Sequence, residues 1–252
     1  ILLAAGLRLA NLGYSQLQGD EATPIVRAAA FIQDHEDGVF FQPRGPLDMM
    51  IPAGVLAMSG ASAELALRLP FALAAVFAVL AVMSLGAALA GRRAGLIAGL
   101  LLALDGFAIA FGRVMHYESV VLLTTTASIM ALYTTLTLQR AATNHDDTLA
   151  RRYVWIAALL AATGVIAHYN GLIVLPAWAY LLFEMRRGGR STRQLARMVL
   201  APVIVTGGIV AAYYLAFFLH PNFGETLQRY SQALIDDSGL LVNNLLYYAE
   251  HV

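Results

Sequence analysis

The chain has 252 residues, of which 59% are hydrophobic and 13% charged, with a mean hydropathy of +0.67 and a formal net charge of zero. Soluble domains carry about 25% charged residues, so this is the composition of a polytopic membrane protein. Zero net charge speaks against a nucleic-acid partner. The absence of Cys excludes disulfides, thiolate nucleophiles and Cys-ligated metals.

In chain order, residues 1–13 read as an apolar helix that begins in its middle, at Ile1, with no initiator Met. The sequence is therefore read as one membrane domain over 1–252, truncated before Ile1 and continuing after Val252. Next comes Gly19-Asp20-Glu21. Two adjacent carboxylates at the mouth of a membrane helix are costly near lipid. They become worthwhile where a reaction at the membrane surface needs a base or a phosphate-metal anchor.

Residues 14–64 are then a long loop with surface helices inside it. Leu47–Ser59 is short and carries Asp48, Pro52 and Gly54, the pattern of an interfacial helix rather than a span. Residues 65–90, 94–112, 119–138 and 195–219 are each long enough to cross a bilayer, which takes about 20 residues. Residues 153–184 are too long for one untilted span at about 1.5 Å per residue. The Tyr169-Asn170-Gly171 break predicts two short helices forming a hairpin. The fold class is all-α, a helical membrane bundle of about seven membrane helices with a long extracytoplasmic first loop.

Charge sets the expected orientation. All sixteen basic residues are Arg, and ten lie in three short segments: Arg92 and Arg93; Arg140, Arg151 and Arg152; Arg186, Arg187, Arg190, Arg193 and Arg197. The positive-inside rule places these segments in the cytoplasm. The loop 14–64 then faces outside, with Asp20, Glu21, Asp34, His35, Glu36, Asp37, Arg44 and Asp48. His116, His168, His220 and His251 fall on the same side, and only His145 is inside. Chemistry is expected on the outer face of a multi-pass plasma-membrane protein.

The ordered set of short motifs supports a resemblance. Gly19-Asp20-Glu21 is followed by Arg44-Gly45-Pro46-Leu47, Arg68-Leu69-Pro70 at the opening of a long apolar helix, and the turn Gly91-Arg92-Arg93-Ala94-Gly95. Phe111-Gly112-Arg113 then precedes Glu118 at the next helix start. The chain resembles the GT-C glycosyltransferases of the family 39 type. These include the dolichyl-phosphate-mannose protein mannosyltransferases and bacterial relatives such as the aminoarabinose lipid A transferases. No single motif is specific, and the order with matching topology carries the likeness over essentially the whole chain.

The resemblance implies sugar transfer on the outer face from a polyprenyl-phosphate-linked donor to an acceptor glycan, lipid or protein. Asp20 resembles the family's essential acid and Glu21 its neighbour. Arg68 and Arg113, with Arg44 and Glu118, occupy positions suited to the lipid phosphate and substrate. Relatives often carry Asp where this chain has His116-Tyr117-Glu118.

The residue chemistry agrees. An attacking hydroxyl must lose a proton, work that a positioned carboxylate does for roughly 10²–10⁴-fold. The leaving lipid phosphate is well held by Arg, whose planar fork makes two charge-assisted hydrogen bonds at once. No metal is specified, and His116, His168 and His220 are the weak candidates for a divalent ion.

Plainer roles stand beside these. Asp20 can cap a surface helix starting near Ala22, Glu118 can cap the next membrane helix, and Arg68 and Arg113 can snorkel to the interface. Asp34-His35-Glu36-Asp37 reads as a solvated acidic turn. Asp105, inside residues 94–112, needs a partner such as Arg113. The competing function is a transporter or lipid-linked-sugar flippase, which needs charged or broken helices near the bilayer midplane.

Overall fold

The computed structural model describes residues 1–17, 19–35, 45–59, 64–141 and 147–220. Among these residues every regular element is helical. Helix α1 is Leu2–Leu9, and a 3₁₀ turn, Gly19–Glu21, leads into α2, Ala22–Ile32. Then follow α3, Leu47–Ser59; α4, Glu64–Ala90; α5, Arg92–Leu104; α6, Gly106–Phe111; and α7, Glu118–Ala141. The remainder is α8, Asp147–Ala167; a 3₁₀ turn, Tyr169–Ile173; α9, Val174–Arg187; and α10, Thr192–Leu219.

Four helices are long and apolar enough to cross a membrane: Glu64–Ala90, Glu118–Ala141, Thr148–Ala167 and Thr192–Ala216. The Leu47–Ser59 helix has the limits expected from the sequence. The single span expected over 94–112 does not form. Its chain breaks at Asp105, whose backbone is extended and whose carboxylate accepts a hydrogen bond from the Ala108 N–H at 2.7 Å. A side chain that caps its own downstream turn competes with a continuous helix, so α5 ends at Leu104 and α6 starts afresh.

Helix α7 is central and packs on α4, α8 and α9. Several of its Thr hydroxyls are satisfied within the helix, as at Thr124 to the Val120 carbonyl (2.7 Å) and Thr125 to the Val121 carbonyl (2.6 Å). This lets a Thr-rich helix lie in an apolar surrounding. Leu132, Leu136, Val154, Val174, Trp178 and Met185 form the main core between α7, α8 and α9. Large apolar side chains instead face outward along α5 and α10, among them Leu100, Leu101, Ile204 and Ile209.

The hairpin expected over 153–184 is present. The chain reverses at His168–Ile173, and Gly171 lies so close to the backbone of Gly164 that a Cβ would come within 2.4 Å of the Gly164 carbonyl carbon. The returning α9 places the Trp178 indole N–H 3.0 Å from the Ser128 hydroxyl and the Met185 carbonyl 2.9 Å from the Gln139 amide. Arg140 pairs with Glu184 at 2.9 Å at the same end.

That end also receives the α4–α5 turn, since the Tyr133 hydroxyl on α7 donates to the Ala88 carbonyl. The three Arg-rich segments thus meet at one end of the bundle, and the Gly19–Glu21 turn and the start of α7 lie at the other. The short helices α2 and α3 pack together through Ala28, Met49 and Ala53. Asp48, read from sequence as a polar loop acid, is fully buried and pairs with Arg27 at 3.7 Å. Arg27 also hydrogen-bonds the Tyr213 hydroxyl of α10, so this pair is tied to the bundle.

Candidate active site

Two arginines, Arg68 of α4 and Arg113 of the turn after α6, are aimed at the backbone of α1 and the segment after it, and a third, Arg8 of α1 itself, reaches the end of α5. The last carbonyls of a helix have no intrahelical partner, and cations near them oppose the helix dipole. Arg113 donates to the carbonyls of Leu7 (3.0 Å), Ala10 (2.9 Å) and Asn11 (3.3 Å). Arg68, buried in α4, donates to the carbonyls of Leu12 (3.1 Å), Ser15 (3.0 Å) and Gln16 (3.2 Å). The Tyr14 ring lies 5.4 Å from the Arg113 guanidinium and 5.8 Å from that of Arg68, within cation–π range of both.

Arg68 completes its set on Glu21. Nε donates to Oε1 at 2.8 Å and the second guanidinium nitrogen to Oε2 at 2.7 Å. Glu21 is 4% exposed, and its Oε1 also accepts the Met115 N–H at 2.9 Å. Arg68 therefore spends all five of its N–H donors inside the protein. Arg113 spends three on α1 and the two residues after it, and its side chain is only partly buried.

Asp20 precedes Glu21 in the 3₁₀ turn and is exposed, while Gly19 adopts a positive φ of 54°. The N-cap position of α2 belongs to Glu21 rather than Asp20. The Asp-Glu pair thus splits, with one carboxylate facing solvent and the other locked in the core. Of the acidic turn 34–37, Asp34 and His35 are exposed. Glu36, Asp37 and Arg44 lie outside the described residues.

The third arginine, Arg8, carries no role in the sequence reading. It is 1% exposed and donates to the carbonyls of Ala103 (3.1 Å) and Leu102 (3.0 Å), where α5 breaks. Gly112 makes room for it, since a Cβ there would lie 3.2 Å from Arg8 Nε and 2.8 Å from the Ala75 Cβ. The available signal was an Arg inside an apolar helix, which is costly unless partnered.

Beside this brace lies a cavity of about 580 Å³. Its walls are mostly apolar, with Leu102, Phe107, Phe111, Leu122 and Ile173 among them. Its polar lining includes Arg8, Asp105, Tyr117, Glu118, Ser119 and Asn170. An apolar pocket with a few convergent polar groups is the common form of a small-molecule site.

Glu118 opens α7 and pairs with Nδ1 of His116, which is buried. The rings beside them form a ladder. Tyr117 is 4.3 Å from His116 and stacks on His168 at 3.7 Å with planes 3° apart; Tyr169 follows at 3.9 Å. His168 is buried, and its Nδ1 accepts the Asn170 N–H at 3.1 Å.

The structure thus gathers Glu21, Arg68, Arg113, His116, Glu118 and His168 at one end of the bundle. His116 and His168 flank the Tyr117 ring rather than sharing a ligand position. His220 lies at the far end of α10. Among the described residues no group of three or more His, Cys, Asp or Glu could hold a metal ion.

The sequence pattern of the dolichyl-phosphate-mannose-protein mannosyltransferases matches residues 43–218. The chain belongs to the dolichyl-phosphate-mannose-protein mannosyltransferase family. The match spans Arg68, Arg113, His116, Glu118 and His168, and it begins after Asp20 and Glu21. Membership in this mannosyltransferase family, with four membrane-length helices, makes the chain an integral membrane protein and a glycosyltransferase that uses a lipid-linked donor. No curated protein and no solved structure shows significant similarity to it.

Proposed function

We propose that this family member transfers a sugar from a polyprenyl-phosphate donor to an acceptor hydroxyl at the extracytoplasmic face, with inversion at the anomeric carbon. The observation that carries the reading is the amphipathic cavity. Its apolar walls suit the prenyl end of the donor, and Asp105, Glu118 and Asn170 offer partners to sugar hydroxyls. The Arg-rich segments at the opposite end of the bundle support an orientation with this cavity outward.

In this reading the acceptor oxygen attacks the anomeric carbon and its proton passes to the exposed carboxylate of Asp20. The bond from that carbon to the phosphate oxygen breaks, and polyprenyl phosphate leaves. Arg113 steadies the phosphate charge with the donors that α1 does not use, while Arg68 and Glu21 hold the turn that presents Asp20. Seven membrane helices would include α1, the α5–α6 pair and α9 beside the four long ones.

Asp20→Asn tests the base. Asn keeps the shape and turn chemistry of Asp but accepts no proton. Transfer from a polyprenyl-phosphate sugar by the full-length protein in liposomes should fall by roughly 10²-fold or more, with expression and donor binding kept. Near-normal turnover would remove Asp20 from the reaction.

A further inference from the structure

His116-Tyr117-Glu118 leads into α7 beside the cavity. We propose that His116 is a positioning residue that fixes the Glu118 carboxylate as a hydroxyl-recognition group for the donor sugar, and so sets which sugar the cavity accepts. This rests on the glycosyltransferase reading above and names the group within that site that reads the sugar.

A carboxylate in this position is costly. Glu118 is about one-third exposed and lines a cavity with mostly apolar walls. An ionised group there needs a donor to hold it. His116 supplies Nδ1 to one carboxylate oxygen, and the other can accept from a ligand.

The imidazole has little freedom to turn. It is 6% exposed, with the Phe111 ring edge at 5.7 Å on one side and Tyr117 at 4.3 Å on the other. Tyr117 is fixed in turn by stacking on His168, which the Asn170 N–H anchors at Nδ1. The ladder therefore holds Glu118 and Asn170, two polar linings of one cavity from elements about fifty residues apart, in a set relation.

A carboxylate accepts only, an amide both donates and accepts, and a phenol can do either. Sugar hydroxyls need both kinds of partner. A site built to hydrogen-bond a hydroxyl rejects the analogue lacking it far more strongly than an apolar pocket rejects a missing methylene.

The test uses the full-length protein in liposomes and a panel of polyprenyl-phosphate hexoses and pentoses. It adds monodeoxy analogues of whichever sugar the wild type transfers. The wild type should prefer the parent sugar over one particular deoxy analogue by about 10²-fold in kcat/KM, the range of a hydrogen bond to a charged group. His116→Phe keeps an aromatic in the stack but offers no donor. It should cut that preference to under about tenfold, by slowing the parent sugar and leaving the deoxy analogue unchanged.

His116→Asn places an amide N–H near the Nδ1 position and should recover most of the preference. His116→Gln reaches toward Nε2 instead and should behave like the Phe variant, which covers a Phe variant that fails to accumulate. Full wild-type preference in both the Phe and Gln variants would overturn the proposal while leaving the glycosyltransferase reading intact. So would a loss in His116→Asn equal to theirs. Transfer of no sugar by the wild type would overturn both.

Discussion

Glu21 and Arg68, 47 residues apart, meet in two parallel charge-assisted hydrogen bonds inside the bundle, at 2.8 and 2.7 Å. The pair closes a loop. Arg68 also holds three carbonyls of the segment after α1, and Glu21 also holds the Met115 N–H. One ion pair thereby fixes the exit of α1, the Asp20 turn and the approach to α7 relative to one another.

Removing one partner of a buried ion pair leaves the other charge stranded, at a cost of about 3–5 kcal/mol. Arg68→Met should therefore lower the stability of the detergent-solubilised protein by that amount. Glu21→Gln should cost less, about 1–3 kcal/mol, because the amide oxygen can still accept from Met115 and Arg68. Reversible denaturation measures both. An Arg68→Met protein as stable as wild type would show that the pair does not organise this end of the bundle.

Arg113 should answer differently from Arg68. Three of its donors go to α1 and the two residues after it, but it is only partly buried and retains donors for a phosphate. Lys cannot reproduce the planar fork, so Arg113→Lys should raise the apparent KM for the lipid-linked donor by roughly tenfold or more, with the fold retained. Arg92→Lys, in the turn at the opposite end, should leave KM unchanged. Equal effects at the two positions would take the phosphate away from Arg113.

The sidedness of the bundle is open to direct labelling, because the chain has no Cys. Asp34→Cys lies at the end of α2 and Arg187→Cys at the end of α9, and both side chains are exposed. A membrane-impermeant maleimide added to intact cells should modify position 34 and reach position 187 only after permeabilisation. The reverse pattern would put the cavity on the cytoplasmic side.

The sequence by itself determined the features that depend on near neighbours in the chain. Apolar length marked three of the four long helices, α4, α7 and α10, and the break at Tyr169-Asn170-Gly171 marked the hairpin that contains the fourth, because about 20 apolar residues and a turn are local properties. Asp48, Pro52 and Gly54 identified Leu47–Ser59 as a short helix for the same reason. The family likeness was also legible, as an order of short motifs.

Only the tertiary structure decided what each charged side chain does. Arg68 and Arg113 look alike in sequence, yet one is consumed by Glu21 and backbone carbonyls and the other keeps donors in reserve. The Asp20-Glu21 pair divides into an exposed and a buried acid because the 3₁₀ turn points successive side chains in different directions. The break at Asp105 was hidden in a run otherwise apolar enough to span. There the side-chain cap on Ala108 and the Arg8 bonds to Leu102 and Ala103 replace the helix continuation. The ladder from His116 to Tyr169 joins two segments far apart in sequence. Ring stacking depends on how α7 and the α8–α9 turn meet in space, and a linear pattern carries no record of that.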